Sequence, residues 1–292
     1  MTADISTLTR LINNEVILAM GLSPEKWPGR HLHPLLSRAT SRFSTIIATA
    51  DRIIAEDGMA AAARWVLLNL VKDFQVRGAQ NIPTEGPLVI ASNHPGTVDS
   101  LAIGACARRE DLKIIASDVP FLKSLTHIGE HLIFLPRQGL QARMLVMRAA
   151  LRHLQDGGAV LLFARGTIDP DPSFMGLAEA EQELRKWSRS LAIFLGSVPR
   201  TRVVTSIVSH VIDPAYMRHP LTWLRRRRSD RQRIAMMIQI IQQMLGKRLN
   251  LVPHVSFGEA IDWRATSETG DSLQVVVDAE TRLLRSHLAW QQ

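Results

Sequence analysis

The chain has 292 residues and carries 35 Lys and Arg against 27 Asp and Glu, a formal net charge of +8. Hydrophobic residues make up 46% and charged residues 21%, which supplies a sizeable core and excludes the polar, highly charged profile of a disordered chain. Cys106 is the only cysteine, so an intramolecular disulfide and any multi-thiolate metal site are excluded, and a reducing compartment fits.

The opening Met1-Thr2-Ala3-Asp4-Ile5-Ser6 lacks a basic stretch followed by an apolar one, so no secretory signal is expected and the cytoplasm is the default. Residues 1–75 read as an N-terminal helical segment, with helices over Thr7–Met20, Leu35–Ala55 and Met59–Lys72. Pro24, Pro28 and Pro34 punctuate the first gap and Gly58 the second. From residue 76 to 292 short apolar runs alternate with helical patterns. Strands are expected at Phe74–Val76, Pro87–Ser92, Lys113–Ala116, Leu132–Leu135, Ala159–Ala164, Val203–Val211 and His254–Phe257. Helices are expected at Asp99–Arg108, Leu140–Leu154, Ala178–Leu195 and Ser272–Trp290. That alternation predicts an α/β fold, a mostly parallel central sheet flanked by helices, behind the N-terminal helical segment.

A basic helical insertion near 215–248 stands apart. Arg225, Arg226, Arg227 and Arg228 follow Leu221, Trp223 and Leu224 and precede Arg231 and Arg233. Ile234, Met237, Ile238, Ile241, Met244 and Leu245 then fall at the spacing of one buried helix face. The charge-free run Ile234–Gly246 is shorter than the roughly 20 residues of a spanning helix. A pI near 10.5 leaves nucleic acid, an anionic membrane surface or a phosphate-bearing small molecule as partners. Two readings of the segment stay open: a core-packed helix with a solvated Arg end, or docking to a membrane surface through Trp223 and Arg225–Arg228. Nucleic acid is disfavoured, because aromatics are 5% of the chain and no basic stripe is interleaved with the rings that base stacking needs.

The chemistry-bearing candidate is Asn93-His94-Pro95-Gly96-Thr97-Val98-Asp99, between an apolar strand and a helix. A turn there can bring the His94 imidazole to the Asp99 carboxylate, which fixes one ring nitrogen and frees the other to take a proton from a hydroxyl. The spacing is common by itself, and His254 with Glu259 repeats it. The strand-to-helix turn favours His94, since such turns lie at the carboxyl edge of an α/β sheet. The alternatives are a first-turn or capping acid for Asp99 and a turn residue for Asn93. Cys106, in the helical stretch Ala102–Ala107, reads as a small core residue. His31 with His33 and His127 with His131 lack the neighbouring acids of a metal site, and no metal is expected.

Four ordered blocks resemble the glycerolipid acyltransferase family, which moves an acyl group from a thioester carrier to glycerol 3-phosphate or its monoacyl product. The turn from Asn93 to Asp99 is similar to the family's N-H-x-S-x-x-D block, with Gly96 where Ser is usual. Gly129 and Ile133-Phe134-Leu135-Pro136-Arg137 resemble the G-x-x-F-I-x-R block. Gly157 to Thr167 resembles the strand ending in F-P-E-G-T, with Ala164 in place of Pro and Arg165 in place of Glu. Val203–Ile207 matches a fourth, hydrophobic block loosely, with Thr205 in the Pro position. The resemblance spans Val76 to Val211.

The resemblance implies direct acyl transfer, with His94 as general base and Asp99 orienting it. Arg137 inherits the acceptor phosphate, and Gly96, Thr97, Gly166 and Thr167 line the substrate site. Backbone N–H groups of the Gly96-Thr97 turn, or of the helix after it, are the expected donors to the carbonyl oxygen. Arg165 departs from the pattern. It either pairs with Arg137 in an acceptor clamp or is ion-paired with Asp169 or Asp171. The implied donor is acyl-CoA or acyl carrier protein, the acceptor a phospholipid precursor, the location the inner face of a membrane, and no cofactor is needed. The N-terminal helices are expected to shelter the acyl chain. Two other classes remain: a catalytically altered lipid- or acyl-thioester-binding protein with the same fold, and, on charge alone, a nucleic-acid-binding module.

Overall fold

The structure, a computed structural model, describes residues 4–136, 140–187, 191, 196–264 and 272–290. Three helices open the chain: α1 (Ile5–Ala19), α2 (Gly29–Asp57) and α3 (Met59–Leu70). The Asp4 carboxylate caps α1 by accepting from the Thr7 N–H. Helix α2 starts at Gly29, upstream of the expected Leu35, and takes Pro34 into its second turn, where a proline costs one backbone bond. A polar seam holds that turn against α1. Asn13 donates to the Ser37 hydroxyl at 2.8 Å and accepts from Thr40, and Thr9 donates to Ser44 at 2.9 Å.

Strands and helices then alternate: β1 (Gln75–Arg77), β2 (Leu88–Ser92), α4 (Asp99–Ala107), β3 (Leu112–Ser117), α5 (Pro120–Lys123), α6 (Thr126–Glu130), β4 (Leu132–Leu135), α7 (Leu140–Gln155), β5 (Ala159–Phe163) and α8 (Leu177–Leu184). The chain continues through β6 (Arg202–Ser209), α9 (Pro214–Met217), α10 (Pro220–Trp223), α11 (Arg228–Met244), β7 (His254–Phe257), β8 (Ile261–Asp262) and α12 (Ser272–Trp290). The sheet runs β1-β7-β6-β2-β5-β3-β4, with β8 beside β6. Strands β2 to β6 are mutually parallel, whereas β7 and β8 pair antiparallel with β6, and β1 follows β7. The fold is the expected α/β type with a mostly parallel sheet.

Both sheet faces are covered. On β2, Leu88 and Ile90 face a core shared with Leu8 and Ile12 of α1, Phe43 and Ile47 of α2 and Val66 of α3. Val89 and Ala91 face the opposite core, built with Ala150 and Leu154 of α7, Leu184 of α8 and Val276 and Leu284 of α12. A strand buried on both sides needs an unbroken apolar run, and LVIAS supplies one.

Three expectations are corrected. The helix expected over Ala178–Leu195 ends at Leu184, with Arg185 and Lys186 in a turn; 188–190 and 192–195 lie outside the described residues. Strand β6 stops at Ser209 rather than Val211, because His210 takes a left-handed φ of 57° that a strand cannot continue through. The basic segment folds as two helices, α10 and α11, with Arg225–Arg227 in the link. Its buried face is Gln232, Ala235, Met236, Gln239, Gln243 and Met244; of the expected row, Met244 is buried and Ile238 and Ile241 pack partly buried against the core, while Met237 is 46% exposed. Three glutamines turn inward because each holds a backbone or side-chain partner beside the candidate site, described below.

Candidate active site

His94 and Asp99 lie just past the carboxyl end of β2, at the mouth of the parallel part of the sheet. Asn93 fixes the strand exit by a two-way clip on β6: its Nδ2 donates to the Val208 carbonyl at 2.9 Å and its Oδ1 accepts from the Val208 N–H at 2.8 Å. The chain then turns within five residues, and Asp99 opens α4 fully buried. His94 Nδ1 sits 2.8 Å from Asp99 Oδ2, and the same oxygen accepts the Gly96 N–H at 3.0 Å while Oδ1 accepts the Ser100 N–H at 2.7 Å. Three donors converge on one buried carboxylate. The contact assigns the proton to Nδ1 and leaves Nε2 with its lone pair. The His94 side chain keeps 29% exposure.

The ring is clamped from other directions. It stacks on Phe163 with centroids 4.0 Å apart and planes 20° from parallel, as follows from the register that sets Ser92 beside Phe163. Asp169 grips the His94 backbone, its N–H donating to the His94 carbonyl at 2.8 Å and its Oδ2 accepting the His94 N–H at 2.8 Å. Burial alone would depress the imidazole pKa, but the Asp99 charge and hydrogen bond, with Asp169 adding, outweigh it and raise the value above its ordinary one. Burial also raises Asp169, against the pull of the His94 N–H and Arg165.

The first-turn alternative for Asp99 and the imidazole partnership coexist on its two oxygens. Gly96 N–H is committed to Asp99, which removes it from the expected carbonyl-oxygen donors and leaves the Thr97 end of the turn. A side-chain carbon at Gly96 would lie 2.9 Å from the Val211 side chain, so close packing selects glycine there. Gly166 has φ 73°, and it and Thr167 are exposed beyond β5. Arg165 adopts the ion-paired arrangement: its Nη1 lies 3.1 Å from Asp169 Oδ1 and 2.7 Å from Glu183 Oε2. Glu183 is a partner that sequence distance concealed, and Asp171 is occupied elsewhere. Arg137 lies outside the described residues. Cys106 is buried on α4, its thiol bonded to the Ala102 carbonyl at 3.1 Å and pushed up to about 12 by burial, which suits a core residue rather than a nucleophile.

Helix α11 crosses the loops around this turn, and its inward glutamines hold them. Gln232 Oε1 accepts the Asp171 N–H; Gln239 takes the Asp213 N–H at 2.9 Å and donates to the Val211 carbonyl at 2.7 Å; Gln243 Oε1 accepts from Thr97 Oγ1 at 3.1 Å. Asp171 in turn accepts the N–H groups of His210, Val211 and Ile212. Positions 232, 239 and 243 share one face at helical spacing, a signal available in the sequence but masked by the hydrophobic row beside it.

From Thr97 and Gln243 an apolar cavity of about 430 Å³ runs beneath the N-terminal helices, lined by Phe43 and Ala50 of α2, Val66 of α3 and Ile114 of β3. This volume falls in the usual range of about 300–1,000 Å³ for small-molecule sites. The second His–acid spacing builds nothing comparable. His254 stacks on His210 and Trp290 at 4.6 and 5.0 Å, and Glu259 is exposed past the far end of β7. Among the described residues no cluster of metal-ligating side chains occurs, and no helix is long and apolar enough to cross a membrane.

A family model described as Acyltransferase matches residues 73–208. No curated protein sequence matches the chain. Among solved structures, the chain is similar to the 1-acyl-sn-glycerophosphate (LPA) acyltransferase PlsC from Thermotoga maritima. The two share 16% identity over 96% of this chain and 94% of that one, with a TM-score of 0.48.

Proposed function

We propose, from the acyltransferase family model that matches residues 73–208 and from the site itself, that this protein moves a fatty acyl group from acyl-CoA or acyl carrier protein to a hydroxyl of a glycerophosphate or lysophospholipid. The observation that carries the reading is the juxtaposition of a histidine base, oriented by a buried aspartate, with an apolar cavity that begins at Thr97 in the same turn. His94 Nε2 takes the acceptor hydroxyl proton as that oxygen bonds to the thioester carbonyl carbon. Collapse of the tetrahedral adduct breaks the carbon–sulfur bond, and the leaving thiolate recovers the proton from His94. Asp99 holds Nδ1–H throughout and steadies the imidazolium. The acyl chain occupies the cavity, where each methylene buried is worth about 0.8 kcal/mol. Arg137, from its family block, is assigned the acceptor phosphate. Acceptors of this kind reside at membranes, so the reading has the protein working at the inner membrane face in phospholipid synthesis.

One observation favours the second reading, a lipid or acyl-thioester binder without turnover. Arg165 stands where the family carries Glu, and Asp169 and Glu183 already hold it. Thiol release from long-chain acyl-CoA separates the two, with glycerol 3-phosphate, lysophosphatidate and neutral lysolipids offered in turn beside His94→Ala. Release that needs an acceptor and vanishes in the variant supports the transferase. Binding of acyl-CoA with no release from it or from acyl carrier protein refutes transfer and leaves the binder.

A further inference from the structure

The exposed end of the basic segment has a defined shape. Helix α10 is a single turn started by Pro220, and Thr222 pins it from inside: fully buried, its hydroxyl donates to the Met217 and His219 carbonyls at 3.0 and 2.7 Å. The anchored turn projects its other side chains outward, with Leu221, Trp223 and Leu224 at 50%, 67% and 74% exposure. Three apolar residues standing in water beside one another are costly in solution and useful at an interface. Directly after them the link exposes Arg225, Arg226 and Arg227, and among the described residues no carboxylate pairs with these three. Arg228 is tethered instead, donating to the Phe174 carbonyl at 2.7 Å.

We propose that Leu221, Trp223 and Leu224, with Arg225 to Arg227, form a docking face for an anionic phospholipid bilayer. The apolar trio reaches the acyl boundary and the unpaired guanidinium groups meet the headgroup phosphates. Charge complementarity selects this occupant: the patch has cations with no acids of its own, and a rigid Trp-Leu edge suits the headgroup layer. The face adjoins the site. Ser229 and Arg233, a few residues into α11, line a small cleft with Pro95 and Asp169, so docking brings the His94 turn close to the lipid surface. The inference rests on the proposed function only for its purpose, because the surface chemistry holds whatever reaction the site performs. Trp27 and Leu35, at 80% and 74% exposure, and Met144 and Leu145, at 49% and 62%, adjoin no comparable run of consecutive arginines.

The test is cosedimentation of the full chain with vesicles of phosphatidylcholine alone or with about a third phosphatidylglycerol. Wild type is expected to bind the anionic vesicles at least tenfold more tightly, and less so as salt rises. Replacing Arg225, Arg226 and Arg227 by Ser is expected to cost about a hundredfold, near fivefold per arginine. Trp223→Ala is expected to cost severalfold. All these residues are exposed, so an unchanged thermal midpoint shows that each variant is folded. Equal binding to both vesicles, no binding to either, unchanged binding by the triple variant, or dependence on Trp27 instead of Trp223 would overturn the proposal. So would arginine-dependent binding of a single-stranded oligonucleotide without vesicle binding. His94→Ala is expected to dock like wild type; a wild-type chain that docks yet never releases thiol refutes the transferase reading and leaves the docking face intact.

Discussion

Replacing Asp99 by Asn tests the base assignment most directly. The carboxylate receives three donors: the His94 ring and the Gly96 N–H on one oxygen, and the Ser100 N–H on the other. An amide offers one oxygen and one NH2 group. If the oxygen faces His94, the Ser100 N–H meets an NH2; if the NH2 faces His94, Gly96 loses its acceptor and the ring is driven to carry its proton on Nε2. Either way one N–H near a fully buried side chain loses its partner, at about 1–3 kcal/mol of stability. In the second case the base is blocked as well. The equivalent change in a Ser-His-Asp triad costs about 10⁴ in rate, so a fall of about 10³–10⁴ in turnover, or roughly 4–5.5 kcal/mol of barrier, is expected.

The pH dependence gives the sign. Since Asp99 and Asp169 outweigh burial and raise the His94 pKa, kcat/KM for thiol release is expected to climb through an apparent pKa above the ordinary value of about 6.5. In Asp99→Asn burial dominates, and the limb moves below about 6.5. The linked stability runs the other way in pH. With a raised folded value, the pair's contribution is fully present below about pH 6.5 and lost as pH rises through the folded pKa, so the variant's deficit is larger at pH 6 than at pH 9. Urea unfolding at the two pH values and rate profiles from about pH 5.5 to 9 read both effects. A wild-type limb at or below 6.5, an Asn limb that moves upward, or a rate loss under tenfold would refute the base assignment.

Gly96→Ser is expected to cost about 1–3 kcal/mol by overpacking, since the new carbon falls 2.9 Å from the Val211 side chain; Val211→Ala should recover part of it in a double-mutant cycle. Arg165→Met leaves Asp169 and Glu183 without their shared cation, and urea unfolding is expected to show a loss of about 2–4 kcal/mol at pH 8 that shrinks at lower pH as Asp169, whose pKa burial already raises, protonates. Gln239→Leu strips partners from the Asp213 N–H and the Val211 carbonyl, with an expected cost of about 2–4 kcal/mol in the same assay. Ala50→Leu fills part of the cavity and should move acyl-CoA preference toward shorter chains, by about fourfold per methylene displaced; an unchanged chain-length profile would separate that cavity from the acyl chain.

The centre of the sheet was legible because strands such as β2 and β5 are short and covered on both faces. Runs such as Leu88–Ser92 and Ala159–Phe163 have no polar face to confuse with a helix, and β4, β7 and α12 fall at their expected limits. The His94–Asp99 turn was legible because both partners lie in one local segment. What escaped was set by tertiary contacts. Phe163 meets His94 through strand register, Asp169 through a loop from the next strand over, and Glu183 reaches Arg165 from α8. The hydrophobic row on α11 was only a partial guide, right for Met244 and for the core-packed Ile238 and Ile241 but not for Met237. Inward-facing glutamines share that burial, their amide oxygens accepting from the Asp171 and Asp213 N–H groups and the Thr97 hydroxyl, and a buried polar group with partners looks like a solvent-facing one in a hydropathy pattern.

The two His–acid pairs show why spacing needs a backbone to give it meaning. Between His94 and Asp99 the chain folds back on itself, held by the Asn93 clip on β6 and the Asp169 grip on the His94 backbone, and the five-residue interval closes to 2.8 Å. Between His254 and Glu259 the same interval follows strand β7, where each residue adds about 3.3 Å, and the acid is carried out of reach. The groups that enforce the first geometry come from β6, the β5–α8 loop and, through Gln232, Gln239 and Gln243, from α11. That helix begins at the arginine-rich face and ends at the cavity beside Thr97. One rigid element therefore spans the surface proposed to meet the bilayer and the loops that hold the base, placing the lipid-facing and catalytic ends of the proposed reaction in a fixed relation.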